Sequence, residues 1–180
     1  MIETERLRLI PCELAHFDAL LRDPPRLEQM LGVSIVEGWS AFPESIARGQ
    51  EYLKRHMDAL DWWMYLFMHA ADSALVGQGG FKGKADESGM VEIGYSIAPA
   101  YRNRGVATEA AQGLIDFAFS HTHVKMVDAH TLAEVNPSTR VLKKVGMKFI
   151  EALRDAEHGE VWHWRLTSDG YRKTRRSNES

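Results

Sequence analysis

Across residues 91–119 the repeat of apolar side chains switches from every second residue to a helical spacing, over one short basic turn. Val91, Ile93, Tyr95 and Ile97 alternate with Glu92, Gly94 and Ser96, the period of a strand. Pro99 then withholds an N–H from the ladder and closes it. Past Gly105 the apolar positions become Val106, Ala107, Ala110, Ala111, Leu114, Ile115, Ala118 and Phe119, one face of a helix. Glu109, Gln112 and Asp116 point away from that face.

The join carries the chemistry. Arg102-Asn103-Arg104-Gly105-Val106-Ala107 opens a helix, where unpaired N–H groups and the positive end of the dipole suit a phosphate. Gly105 has no Cβ, so a ligand can come close to the backbone. Arg102 and Arg104 add two guanidinium forks able to grip phosphate oxygens. The turn reads as a pyrophosphate site or, equally on its own evidence, as a solvated basic turn before an ordinary helix. No Gly-Lys-Ser/Thr run supports a P-loop. Gly77, Gly79, Gly80 and Gly83 imitate a dinucleotide fingerprint, but Lys82 stands where its third glycine belongs, and the polar stretch that follows reads as a hairpin loop.

Composition narrows the partners. At 180 residues, 44% hydrophobic and with a net charge of −3, the chain reads as one soluble domain over residues 1–170, without general attraction to nucleic acid or anionic membrane. The basic residues 171–180 read as a frayed tail. A lone cysteine, Cys12, excludes an internal disulfide and suits a reducing, cytoplasmic setting. No apolar run is long enough to predict a membrane span, and the charged opening does not read as a signal peptide.

In chain order, residues 5–10 read as a first strand. A short helix with Leu14, Phe17, Leu20 and Leu21 inward is broken by Pro24-Pro25, and a second, through Leu27, Met30 and Leu31, stops at Gly32. Residues 33–43 have no period and hold Trp39 and Phe42, which a loop must bury or offer to a ligand. A helix is predicted over residues 44–60, with Met57 and Leu60 on its apolar side. Strands over 62–68 and 74–81, turning at Asp72-Ser73, lead through the turn at residues 86–89 to the strand at Val91. After the phosphate helix come a strand over 125–131, a helix over 138–145 ended by Gly146, and a hairpin of 148–154 with 160–166 turning at Glu157-His158-Gly159.

Residues 102–107 resemble the acyl-CoA-binding motif of the GNAT superfamily of N-acyltransferases, Arg/Gln-x-x-Gly-x-Gly/Ala after an apolar strand. A second stretch, from Asn136 to Met147, resembles that family's Asn-x-x-Ser-x-Arg-Val-Leu-Glu-Lys-x-Gly-Phe. The opening Thr4-Glu5-Arg6-Leu7-Arg8-Leu9 is similar to the start of its ribosomal-protein N-terminal acetyltransferase branch. The resemblance implies an α+β (mixed α/β) fold with a twisted, mostly antiparallel sheet of about six to seven strands flanked by helices. Its departures are an Asn136 one place late, Lys143 for Glu, Met147 for Phe, and Leu142 where many members carry a tyrosine that protonates the leaving thiolate.

The resemblance also implies acetyl-CoA as co-substrate, an amine acceptor and no metal. By it, the pantetheine arm lies along Tyr95, Ser96 and Ile97, the pyrophosphate sits on residues 104–108 (Arg104, Gly105, Val106, Ala107 and Thr108) beside Arg102 and Asn103, and Asn136 and Lys144 belong to the cofactor site. Ser138 is the implied thiolate donor or simply a helix cap. Glu92, on one strand face with Ser96, is read as the base acting through water or as an ion-paired strand carboxylate; Glu134 is a weaker second choice. A peptide α-amine titrates near 7.7–8.0 and a lysine near 10.4, so deprotonation at pH 7 differs by about 3.5 kcal/mol. A chain without a strong base therefore suits a protein or peptide N-terminus, with small amines as the alternative acceptors and a non-catalytic CoA sensor as the alternative class. His121, His123 and His130 read as solvent-facing in preference to metal ligands, and His69 and His163 as packing or surface groups in preference to lining the acceptor groove. The aromatic strand around Trp162 and Trp164 predicts a possible homodimer.

Overall fold

The computed structural model describes residues 1–40, 43–156 and 158–178; Phe42 and Glu157, expected in a loop and a turn, lie outside the described residues. The first half runs β1 (Ile2–Glu3), β2 (Leu7–Pro11), α1 (Leu14–Arg22), α2 (Pro24–Leu31), β3 (Ser34–Ile35), α3 (Glu44–Arg55), a 3-10 turn at Met57–Trp62, β4 (Met64–His69) and β5 (Ala74–Phe81). The second runs β6 (Met90–Ile97), a 3-10 turn at Pro99–Tyr101, α4 (Val106–Ser120), β7 (Met126–Leu132), α5 (Pro137–Lys144), β8 (Lys148–Asp155), β9 (Gly159–Thr167) and α6 (Ser168–Asn178).

Local chemistry sets the boundaries. Pro24 and Pro25 end α1 by starting α2, at whose first turn a missing N–H costs nothing. Gly32 and Gly146 close their helices at φ 64° and 86°, in the left-handed region open to glycine. The Asp86 carboxylate accepts from the Ser88 and Met90 N–H groups and so holds the turn into β6.

The strands form one sheet in the order β1-β2-β4-β5-β6-β7-β9-β8, with β3 lying parallel to β5 just beyond the end of β6. The remaining pairs are antiparallel except β6–β7, joined across α4. One core lies where Leu114, Ile115 and Ala111 of α4 meet Val91, Ile93 and Val127 of the sheet. A second joins Phe17, Leu27 and Leu53 of α1–α3 to Leu66 and Leu75. Burying a leucine of this kind contributes about 2 kcal/mol, so helices packed on both faces hold the sheet between them.

Several expectations change. The sheet has nine strands, because β1 and β3 are two residues long and too short to show a period. Leu21, Met30 and Met57 are 43%, 42% and 59% exposed, since each falls just outside the stripe that meets the sheet. The helix expected over residues 44–60 stops at Arg55 and tightens into the 3-10 turn. The basic end expected to fray is helical as α6, where Tyr171 donates to Asp116 of α4 at 2.7 Å and Arg175 pairs with the same carboxylate at 2.6 Å. The aromatic strand is interior, with β9 between β7 and β8 and Trp164 buried; exposed apolar groups lie instead on β8 at Phe149, Ile150 and Leu153.

Gly80 permits the close approach of β4 to β5. It sits at φ 140°, and a Cβ there would lie 1.9 Å from the Trp63 carbonyl oxygen. Gly80→Ala is expected to cost about 3 kcal/mol or more, seen as a lower urea midpoint at unchanged slope. A loss below about 0.5 kcal/mol would show that the two strands are not pinned there.

Candidate active site

β6 and β7 pair only at Met90↔Met126, Val91↔Val127 and Glu92↔Asp128, although β6 continues to Ile97 and β7 to Leu132. Beyond Glu92 the two strands part and leave a wedge. Lys82 N–H donates to the Glu92 carbonyl and Ala98 N–H to Val76, so the even-numbered residues of β6 bond to β5. Strand alternation turns the backbone groups of Ile93, Tyr95 and Ile97 into the wedge. The Ile97 carbonyl accepts from Arg102 Nε at 3.1 Å, which leaves its N–H for a ligand. An extended molecule with amides of its own fits such an edge as an added strand. Of the three residues expected along the cofactor arm, Tyr95 and Ile97 thus face the wedge by backbone. Ser96 pairs with Gln78 of β5 and lines a groove instead.

Because β6 and β7 are parallel and each leads into a helix, α4 and α5 begin at the same end of the sheet, where the wedge opens. Gly105 caps α4 at φ 79° with no side chain on the cap, so the first-turn N–H groups of Val106, Ala107 and Thr108 keep their donor capacity. Val106 is buried, so its contribution is the backbone alone. Asn103 takes a left-handed φ of 58° and bends the turn toward Gly105. Arg104 lies over the Tyr101 ring at 5.4 Å. Gly105, Thr108 and Lys144 share a cleft of about 690 Å³ running along α4 toward Glu3. The geometry therefore brings a glycine-capped helix start with its basic turn and an open strand edge to one end of one strand pair.

Ser138 stands at the second position of α5 and is half-buried. It does not cap the helix. Asn136 Oδ1 accepts from Thr139 N–H at 3.0 Å, and Asn136 N–H donates to Thr139 Oγ1 at 3.1 Å. Capping is thus assigned to Asn136 and Thr139, and the Ser138 hydroxyl is left outside it. Leu142 is buried in the core and offers no proton.

Glu92 holds two partners: it pairs with Lys82, and its Oε1 lies 3.0 Å from His130 Nδ1. The His130 ring stacks on His163 at 4.9 Å and 15°. His163 Nε2 is 2.7 Å from Asp128 Oδ2, and Arg165 reaches both oxygens of Asp128 at 2.8 Å. Burial pushes the Asp128 carboxyl up, but the hydrogen bonds from Arg165 and His163 outweigh it and hold the group below the usual carboxylate range. His130, expected to face solvent, and His163, expected as a packing or surface group, are neighbours by register, and His163 is buried. His121 and His123 pack edge-on to Trp62, and no group among the described residues has the ligands to hold a metal ion.

On the same face of β6 a groove of about 290 Å³ is lined by Ser45, Trp63, Gln78, Lys82, Gly94 and Ser96, among others. Among the described residues Lys82 is its one charged lining residue and no carboxylate lines it, although Glu92, the ion-pair partner of Lys82, lies beside it. Gln78 is buried; its Nε2 donates to Ser40 Oγ at 2.7 Å while its Oε1 is buried without a partner. Trp63 stacks on Tyr52 at 3.8 Å, and Trp39 packs into the core under α1–α3.

Residues 6–148 match the family model described as acetyltransferase (GNAT) domain. The chain belongs to the GNAT acetyltransferase family. It is 31% identical over 166 residues to the uncharacterized N-acetyltransferase YjdG of Bacillus subtilis, covering 91% of this chain and 96% of the relative. Similar folds include the ribosomal-protein-S5-alanine acetyltransferase of Vibrio fischeri, with TM-score 0.69, 14% identity, and 94% and 97% of the two chains covered. Variants of the spermidine/spermine N-acetyltransferase SpeG of Vibrio cholerae match with TM-score 0.68, 16% identity, and 96% and 99% covered. At such identities these structures establish the fold alone.

In this acetyltransferase the phosphate turn is braced from the far end of the chain. Glu109 Oε1 accepts from Thr4 Oγ1 and from the Arg6 N–H, both at 2.6 Å, and Oε2 accepts from Arg6 Nε at 2.7 Å. Arg6 Nη1 then donates to the Arg104 carbonyl at 2.8 Å. Burial raises the Glu109 pKa, yet the Thr4 and Arg6 hydrogen bonds prevail and hold it below the ordinary value. Glu109 does point away from the helix core, as its spacing predicts, but onto the turn between β1 and β2 and not into solvent. Glu109→Gln is expected to weaken CoA binding several-fold and cost about 1.5–3 kcal/mol of stability, checked by calorimetry and urea unfolding. Unchanged values in both would leave the brace without consequence.

Acid stability follows from Asp128. A carboxyl whose folded pKa lies below its unfolded value of about 3.9 stabilises the fold above that pH and loses the contribution as pH falls through the folded pKa. The difference in urea midpoint between the GNAT enzyme and its Asp128→Asn variant is expected to be large at pH 7 and to shrink toward pH 3. A pH-independent difference would contradict the assignment.

Proposed function

We propose that this chain is an acetyl-CoA-dependent N-acetyltransferase acting on protein or peptide N-terminal α-amines by direct attack in a ternary complex. The wedge residues Tyr95 and Ile97 take the pantetheine arm, with the Ile97 N–H toward the thioester carbonyl, where it stabilises the developing oxyanion. The first-turn N–H groups at residues 105–108, with Arg102, Asn103 and Arg104 beside them, take the pyrophosphate. Thr108, Lys144 and the side-chain amide of Asn136 border the nucleotide end. Ser138 supplies a proton to the departing thiolate, and Glu92 is the carboxylate behind removal of the amine's proton.

The observation that carries the choice of acceptor is the lining of the groove. A polyamine keeps further positive charges after one nitrogen is deprotonated, and a site for it needs carboxylates. Among the described residues the one charged lining residue is Lys82, and the single carboxylate beside it, Glu92, is already paired with that lysine and with His130. The buried, unpartnered Gln78 Oε1 suits a peptide N–H, because an unpaired buried acceptor costs about 1–3 kcal/mol until a donor arrives. A weakly basic α-amine also asks least of the proton acceptor.

Thermal melting with acetyl-CoA at about 100-fold over Kd is expected to add roughly 2.7 kcal/mol of stability. Thiol release with alanine- and serine-leading peptides is expected to exceed that with spermidine by about 100-fold in kcat/KM, close to 2.7 kcal/mol of transition-state discrimination. Faster turnover of spermidine would replace the peptide reading. Acetyl-CoA binding without turnover of any amine would make the protein a sensor. Ser138→Ala is expected to lower kcat by about 10-fold with little change in acetyl-CoA affinity; equal kcat would remove Ser138 from the chemistry.

A further inference from the structure

Beyond Glu92↔Asp128 the next residues on the groove face are Gly94 on β6 and His130 on β7, which stand on opposite walls of the wedge. Gly94 is open: a Cβ built on it meets nothing within 4 Å. His130 is not loose. Its Nδ1 is held by Glu92 Oε1 at 3.0 Å, and its ring is seated flat on His163, which is buried and bonded to Asp128. We infer that His130 is the proton acceptor of the acetyl transfer, with Glu92 as the positioning residue that fixes its ring and tautomer. This rests on the wedge holding the thioester, as proposed above.

Three features favour the histidine over the carboxylate alone. Glu92 sits at the closed end of the wedge, where the strands are still paired, while His130 lies two residues further on, where they have separated. Glu92 is already engaged with both Lys82 and His130. A carboxylate on Nδ1 keeps the proton on that nitrogen and leaves the Nε2 lone pair for an amine, the arrangement by which a carboxylate orients an imidazole base. The charged groups around it are Glu92 from β6, Lys82 just past the end of β5, and the Asp128 carboxylate of β7 under His163 and Arg165 of β9. Glu151 of β8 lies 3.8 Å from the far nitrogen of His163.

In the reaction the amine lone pair forms the new C–N bond to the thioester carbonyl carbon. The C–S bond breaks with its electron pair on sulfur. The N–H proton passes to His130 Nε2, the Ser138 hydroxyl hands its proton to the thiolate as it departs, and the proton held on His130 returns through solvent to the Ser138 oxygen, so that both side chains end as they began.

The test uses the full chain with acetyl-CoA and an alanine-leading peptide, or spermidine if that is the acceptor turned over. His130→Gln is expected to lower kcat/KM by about 100- to 1,000-fold with acetyl-CoA affinity unchanged, and to abolish the acid limb of the pH profile. His130→Ala is expected to regain activity with added imidazole. Glu92→Gln is expected to lower kcat, keep an acid limb and show no imidazole rescue. A His130→Gln enzyme that retains the wild-type rate and acid limb overturns the inference while leaving the acceptor assignment intact. Independently of turnover, a crystal structure with CoA joined through its acetyl carbon to a peptide amine should place that nitrogen within hydrogen-bond reach of His130 Nε2, directly or through one water. A nitrogen beyond that reach overturns it as well.

Discussion

The parting of β6 from β7 after Glu92 governs the chemistry of this fold. Two parallel strands that stay paired would satisfy each other's backbone groups and leave no slot. Pairing for three residues and then diverging, they turn the Ile93 carbonyl, both backbone groups of Tyr95 and the Ile97 N–H toward the opening along one edge. Each strand also leads into a helix, so the divergence carries the uncapped start of α4 and the start of α5 to the same opening. An open strand edge and two helix starts, that of α4 with free first-turn N–H groups, are then one structural consequence.

Holding that opening in shape takes contacts from distant parts of the chain. Glu109 and Arg6, separated by 103 residues, tie the start of α4 to the turn between β1 and β2 and hold the Arg104 carbonyl as well. On the opposite wall Asp128, His163 and Arg165 make a buried charged unit beneath His130. Breaking one partner of such a unit is costly, because the remaining charge keeps its desolvation without its compensation. The groove beside it is of the contrary kind: glycines at 80 and 94 and the buried amide of Gln78 give room and a single neutral acceptor.

Much of the fold was legible in local pattern. The alternation at Val91, Ile93, Tyr95 and Ile97 and the helical repeat after Gly105 appear as β6 and α4 with a boundary at that glycine. Short elements were not legible: β1 and β3 are set by pairing with β2 and β5, and two residues carry no period. The site was legible only in part. Gly105 and the residues of its turn announce themselves by type and order, whereas Ser138 looked like a cap until Asn136 and Thr139 were found in that role. His130 and His163 lie 33 positions apart in sequence and share a stack only because β7 and β9 pair residue for residue.

The sequence by itself determined the order of strands and helices, the glycine-opened helix and its basic turn, because those depend on each residue's own backbone preferences and near neighbours. Tertiary structure alone decided where β6 and β7 separate, which backbone groups of β6 face the opening, and which side chains surround Glu92. Strand register sets those relations, and register is fixed by cores built from residues far apart in the chain, so no local window contains it.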